Sequence, residues 1–139
     1  MNYFLRLNFS SILYAVLIFI NIELIFNIYR ISRIIEIDVA VARNIGIVVM
    51  LISVIVFSFI YYLLNRQYLK GSKLNYFGSV LWIPYFVIML ILSNKIFPII
   101  NHGDQLNPVS RVVIYLGILL YPIYLAIVIA LSKKVKANK

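Results

Sequence analysis

Residues 45–64 read IGIVVMLISVIVFSFIYYLL, twenty consecutive positions without a charged side chain. A helix of that length rises about 30 Å, the thickness of a bilayer's hydrocarbon core. A helix that is apolar on every side must be buried, either inside a large protein or in lipid. The feature recurs in this chain. Three further apolar runs, at about 7–29, 76–97 and 112–131, have similar lengths, and the segments between them hold most of the charges. The pattern predicts four membrane-spanning helices.

Composition excludes the soluble alternative. The chain has 139 residues, is 64% hydrophobic and only 12% charged, and has a mean hydropathy of +1.02. A water-soluble domain of this size leaves too much surface in solvent to hide that much apolar material. Strands are also a poor fit. The runs are continuous rather than alternating, and a helix satisfies its own backbone groups, as lipid demands. The expected fold class is therefore an all-α membrane protein, a compact four-helix bundle. It forms one domain over residues 1–139, with a basic tail at 132–139. Ala40-Val41-Ala42 resembles a signal-peptide cleavage site. The apolar stretch 12–20 ends well before it, however, and Glu23, Arg30 and Arg33 intervene, so the first span reads as uncleaved.

Orientation follows from the basic residues. Arg6, Arg66, Lys70, Lys73, Lys133, Lys134, Lys136 and Lys139 fall on one side. Arg30, Arg33, Arg43, Lys95 and Arg111 fall on the other, beside Glu36, Asp38 and Asp104. Eight against five places both termini in the cytoplasm. The expected location is the cytoplasmic membrane of a bacterial cell, crossed several times. Arg66, Lys70, Lys73 and the 133–139 tail are expected to meet anionic lipid headgroups. That accounts for the net charge of +9 without nucleic acid as a partner.

The chain has no cysteine and a single histidine, His102. Thiolate chemistry and multi-histidine metal sites are thereby excluded, and no cofactor or metal is expected. A Ser–His–Asp set can be assembled only from His102, Asp104 and Ser110 in one short loop, without a nucleophile elbow, so no enzyme is expected.

Local signals mark the connections. Gly71-Ser72 reads as a turn, with Asn75 or Ser72 as a cap for span three. Asn107-Pro108 reads as an N-cap and first helical residue for span four. Residues 31–43 admit two readings. The alternation over 36–41 favours a short extended segment, whereas Ile31, Ile34, Ile35 and Ile37 favour an interfacial helix. Ala126 and Ala130 form a small-xxx-small pair suited to helix packing.

Glu23 is the most informative residue. A carboxylate inside a span must face the interior and find a partner, or take up a proton. Asn27 and Arg30 lie on nearly the same helical face, and Lys95 near the end of span three is a candidate ion-pair partner, as is Arg30. With Asn44, Asn94, Asn101, His102, Asp104 and Arg111 these residues make up a candidate binding cluster in the outer half. The inner half is expected to be nearly dry, with Ser10, Ser53, Ser58, Gly78 and Ser79 as small exceptions. The expected function is binding within the bilayer, to another membrane protein or a second copy. The chain would act as an accessory subunit or as an immunity protein against a membrane-active toxin. The alternative is a small proton-coupled transporter that titrates at Glu23.

Overall fold

The computed structural model describes residues 2–69 and 73–137, with side chains through Lys133. The expected turn at Gly71-Ser72, the alternative cap Ser72, and Lys70 and Lys139 lie outside the described residues, as do the side chains of Lys134 and Lys136.

Four long helices carry the fold: α1 (Tyr3–Ile35), α2 (Val39–Leu63), α3 (Gly78–Ile96) and α4 (Pro108–Ala137). A π-helical stretch, Leu64–Tyr68, extends α2, and a 3-10 turn, Lys73–Phe77, leads into α3. A second 3-10 turn, His102–Asp104, interrupts the loop before α4. Among the described residues there is no strand. All four helices are long and apolar enough to cross a membrane, which makes the chain a multi-pass membrane protein by length and composition.

The segment 31–43 is neither extended nor a separate interfacial helix. The apolar run of α1 continues through Ile31, Ile34 and Ile35, so the helix reaches 33 residues. At about 1.5 Å per residue that is roughly 50 Å, well beyond the hydrocarbon core. Glu36 then turns the chain with φ 58° and ψ 38°, the left-handed conformation that closes many helices. The Ile37 amide donates to the Ser32 carbonyl at 3.1 Å, and the Ser32 hydroxyl donates to the Ile37 carbonyl at 2.7 Å. Asp38 immediately caps α2 by accepting from the Ala40 amide at 2.6 Å. The alternation over 36–41 was too short to compete with two helices meeting at a capped turn.

Asn107-Pro108 starts α4 as its sequence suggests: Asn107 Oδ1 accepts from the Ser110 amide at 2.7 Å. Asn75 does not cap α3. Phe77 occupies the cap position without a side-chain hydrogen bond, and Asn75 is fully buried.

α1 is the helix around which the others gather. In its most apolar 18-residue window 39% of residues are buried, against 6% in that of α2. Tyr14, Ala15, Leu17, Ile18 and Ile22 of α1 are all buried. One aromatic layer draws a residue from every helix. The rings of Tyr14 and Tyr61 meet edge-on at 4.7 Å, and those of Trp82 and Tyr121 at 4.9 Å. In lipid such packing drives helix association, since the tails are as apolar as leucine. Gly78 makes the α1–α3 approach possible, because a Cβ there would lie 3.0 Å from Tyr14 Cε2.

Candidate functional site

At the end of the molecule opposite the termini, α1 holds the loop before α4 through charge. Arg33 grips Asp104 with two hydrogen bonds, Nη2 to Oδ2 at 2.7 Å and Nε to Oδ1 at 3.3 Å. Arg30 approaches the same carboxylate at 3.9 Å and donates to the Pro98 carbonyl at 2.8 Å. Asp104 is buried, so its charge is balanced locally by the two arginines. Asn101, with its amide oxygen turned to the guanidinium, accepts from Arg33 at 3.1 Å. His102 Nδ1 lies 3.1 Å from Gln105 Nε2. Arg33 lies outside the candidate cluster read from the sequence, one turn beyond Arg30 on the same helix.

Glu23 is partnered otherwise than expected. Its carboxylate accepts from Asn27 Nδ2 at 2.9 Å, and the same nitrogen donates to the Glu23 carbonyl. Among the described residues no cation comes within ion-pair distance of it. Pairing with Arg30 fails because that long side chain reaches outward to the loop. Pairing with Lys95 fails because Asn94, and not Lys95, lines the cavity beside Glu23. The next position, Lys95, is rotated about 100° around α3 and does not line that cavity. Glu23, Asn27, Ser93 and Asn94 line a cavity of 80 Å³ between α1 and α3, closed by Phe26, Phe97 and Ile99. Asn44 and Arg111 are exposed on α2 and α4. The ten cluster residues thus divide into a charged loop clamp, a small carboxamide–carboxylate pocket and separate surface positions. Ala126 and Ala130 are half-buried on α4.

The half nearer the termini is not dry. Asn65, fully buried, donates to the Tyr14 hydroxyl at 2.7 Å and to the Tyr61 carbonyl at 2.8 Å. Tyr61 donates to the Leu13 carbonyl and Tyr121 to the Tyr14 carbonyl. Tyr3 donates to Asn75 at 2.7 Å, and Tyr85 to Asn8 at 2.6 Å. Arg6 donates to the Tyr68 carbonyl and lies over the Tyr68 ring at 5.1 Å. These groups escape notice in sequence because tyrosine counts as apolar. The 11 tyrosines nonetheless each carry a hydroxyl that must be satisfied when buried.

Two adjoining openings face sideways. Between α2 and α4, with α1 as the floor, two hollows of 220 and 440 Å³ adjoin at Ile25, Met50 and Val113. The deeper hollow passes Gly117 and Tyr124, and the other opens beside Tyr29, Arg43 and Ser110. The α2 residues along it are Val39, Arg43, Ile47, Met50 and Val54, one helical stripe.

The chain matches no protein-family model, no curated protein and no solved structure.

Proposed function

We propose that the chain acts by binding a protein partner within the bilayer, as an accessory subunit of a membrane complex or as an immunity protein against a membrane-active toxin. Its four helices form one compact bundle with both termini on the cytoplasmic side of a bacterial cell membrane.

One observation carries this reading. α2 is the most apolar helix, with a window hydropathy of 2.8, yet it contributes least to the interior. Ile45, Val48, Ile52, Ile55 and Phe59 are each more than half exposed. Their spacing of three and four residues alternates as in a coiled-coil seam, and most are β-branched. Left-handed packing of that kind is the usual way membrane helices meet. The seam suits a second helix and needs no reactive group.

The carrier reading has less support. Leu17, Ile18 and Ile22 lie between Glu23 and the tyrosine–asparagine layer, and all three are apolar and buried. A proton leaving Glu23 toward the termini would have to pass them.

A photocrosslinking residue at Ile52 tests the proposal in native membranes, with Leu119, exposed on α4, as the comparison position. Capture of one specific membrane protein at Ile52 and not at Leu119 is the expected result. Identical products at both positions, or self-adducts and lipid alone at Ile52, would overturn it.

A further inference from the structure

We propose that the crevice between α2 and α4 is a lipid site that takes one acyl chain of an anionic phospholipid, with the phosphate held at its mouth by Arg43. The site does not depend on the partner reading. The stripe 43, 47, 50, 54 and the seam 45, 48, 52, 55, 59 lie on nearly opposite faces of α2, about 150° apart at about 100° per residue.

Length and chemistry agree on the occupant. From Arg43 to Val54 the crevice follows eleven helical steps, about 16 Å, which is close to one leaflet's share of a ~30 Å hydrocarbon core. The polar groups along its deep part are already satisfied. Asn21 donates to the Leu17 carbonyl and accepts from Ser53, Tyr121 donates to the Tyr14 carbonyl, and Tyr124 pairs with Ser58. The wall therefore offers hydrocarbon to its occupant. Gly117 widens it, since a Cβ there would meet no atom within 4 Å.

The mouth has the opposite character. Arg43 has no acidic partner among the described residues. The Tyr29 hydroxyl accepts from Asn107 at 2.7 Å, which leaves its own proton to donate. α2 and α4 both begin here, but Asp38 and Asn107 already cap them through the Ala40 and Ser110 amides, so the attraction for an anion comes from Arg43. A cation and a free phenol proton above an apolar slot one leaflet deep match a phospholipid, whereas free phosphate would use the mouth alone.

The test compares retention of phosphatidylglycerol and phosphatidylcholine with identical chains, measured by native mass spectrometry of the detergent-purified protein. The parent is expected to retain phosphatidylglycerol preferentially. Arg43→Gln should lower that retention about tenfold, the size of one charge-assisted hydrogen bond, and bring it to the phosphatidylcholine level. Gly117→Phe should displace both lipids by filling the slot. Arg111→Gln removes the same charge from an exposed position outside the crevice and should change nothing. Equal retention of the two lipids by the parent, full retention in Gly117→Phe, or equal losses in Arg43→Gln and Arg111→Gln would each overturn the proposal.

Discussion

Arg33 and Asp104, 71 residues apart in sequence, meet through a two-point ion pair that fastens the loop before α4 to the projecting end of α1. The carboxylate is buried while the Arg33 side chain is 53% exposed, so water screens part of the attraction. Asp104→Ala should cost about 1 kcal/mol, toward the upper end for exposed pairs and below that of a fully buried one. Arg33→Ala should cost a similar amount. A double-mutant cycle followed by thermal unfolding in detergent checks this, and additive losses would show that the pair contributes no coupling.

Tyr14 sits where Asn65, Tyr61 and Gly78 converge. Tyr14→Phe removes only the hydroxyl that accepts from Asn65, so it should cost about 0.6 kcal/mol, the average for interhelical hydrogen bonds in membranes. Tyr14→Ala removes the ring from the aromatic layer and should cost about 3–5 kcal/mol. Comparable unfolding temperatures for the two variants would contradict a packing role for the ring.

The two transmembrane glycines on α3 and α4 should respond in opposite directions. Gly78→Ala pushes a methyl to 3.0 Å from the Tyr14 ring and should destabilise by about 1–3 kcal/mol. Gly117→Ala meets open space and should stabilise by about 0.5–1 kcal/mol through helix propensity. Denaturation of the two variants side by side measures the contrast.

Glu23→Gln retains an acceptor for Asn27 and should leave stability within about 1 kcal/mol of the parent, since a neutral amide keeps a hydrogen bond of ordinary strength. Lys95→Gln should add to it independently, because the two side chains do not touch. Proton-linked flux in liposomes that the parent carries and Glu23→Gln abolishes would restore the carrier reading.

Sidedness is open to direct labelling, since the native chain has no cysteine. With both termini in the cytoplasm, a cysteine at Gly103 should react with an impermeant maleimide added outside intact cells. One at Asn2 should react only after permeabilisation. The reverse pattern would invert the topology.

The span count, the start of α4 at Asn107-Pro108 and the absence of strands among the described residues were legible in the residues themselves. Each depends on local physics. Twenty apolar residues in lipid must be helical, because no water is present to satisfy the backbone. Asn favours the N-cap and Pro the first helical position, and the apolar run that follows supplies the helix. The helix ends were less legible, since α1 outruns the hydrocarbon core and ends at the turn through Glu36.

Tertiary structure alone decided the partners. Glu23, Arg30, Lys95 and Asp104 all carry charges that fit one cluster on paper, and only rotation about each helix separates them. Asn94 rather than Lys95 lines the cavity beside Glu23, and Arg33 rather than any residue of the candidate cluster takes the larger share of Asp104. The same holds for the tyrosines, which pattern as apolar yet build a hydrogen-bonded layer from α1, α2 and α4 once Asn65 and three backbone carbonyls come within reach. Hydropathy is a property of each residue, so it can be read along the chain. Pairing depends on which faces of separate helices meet, and a sequence without its fold does not contain those angles.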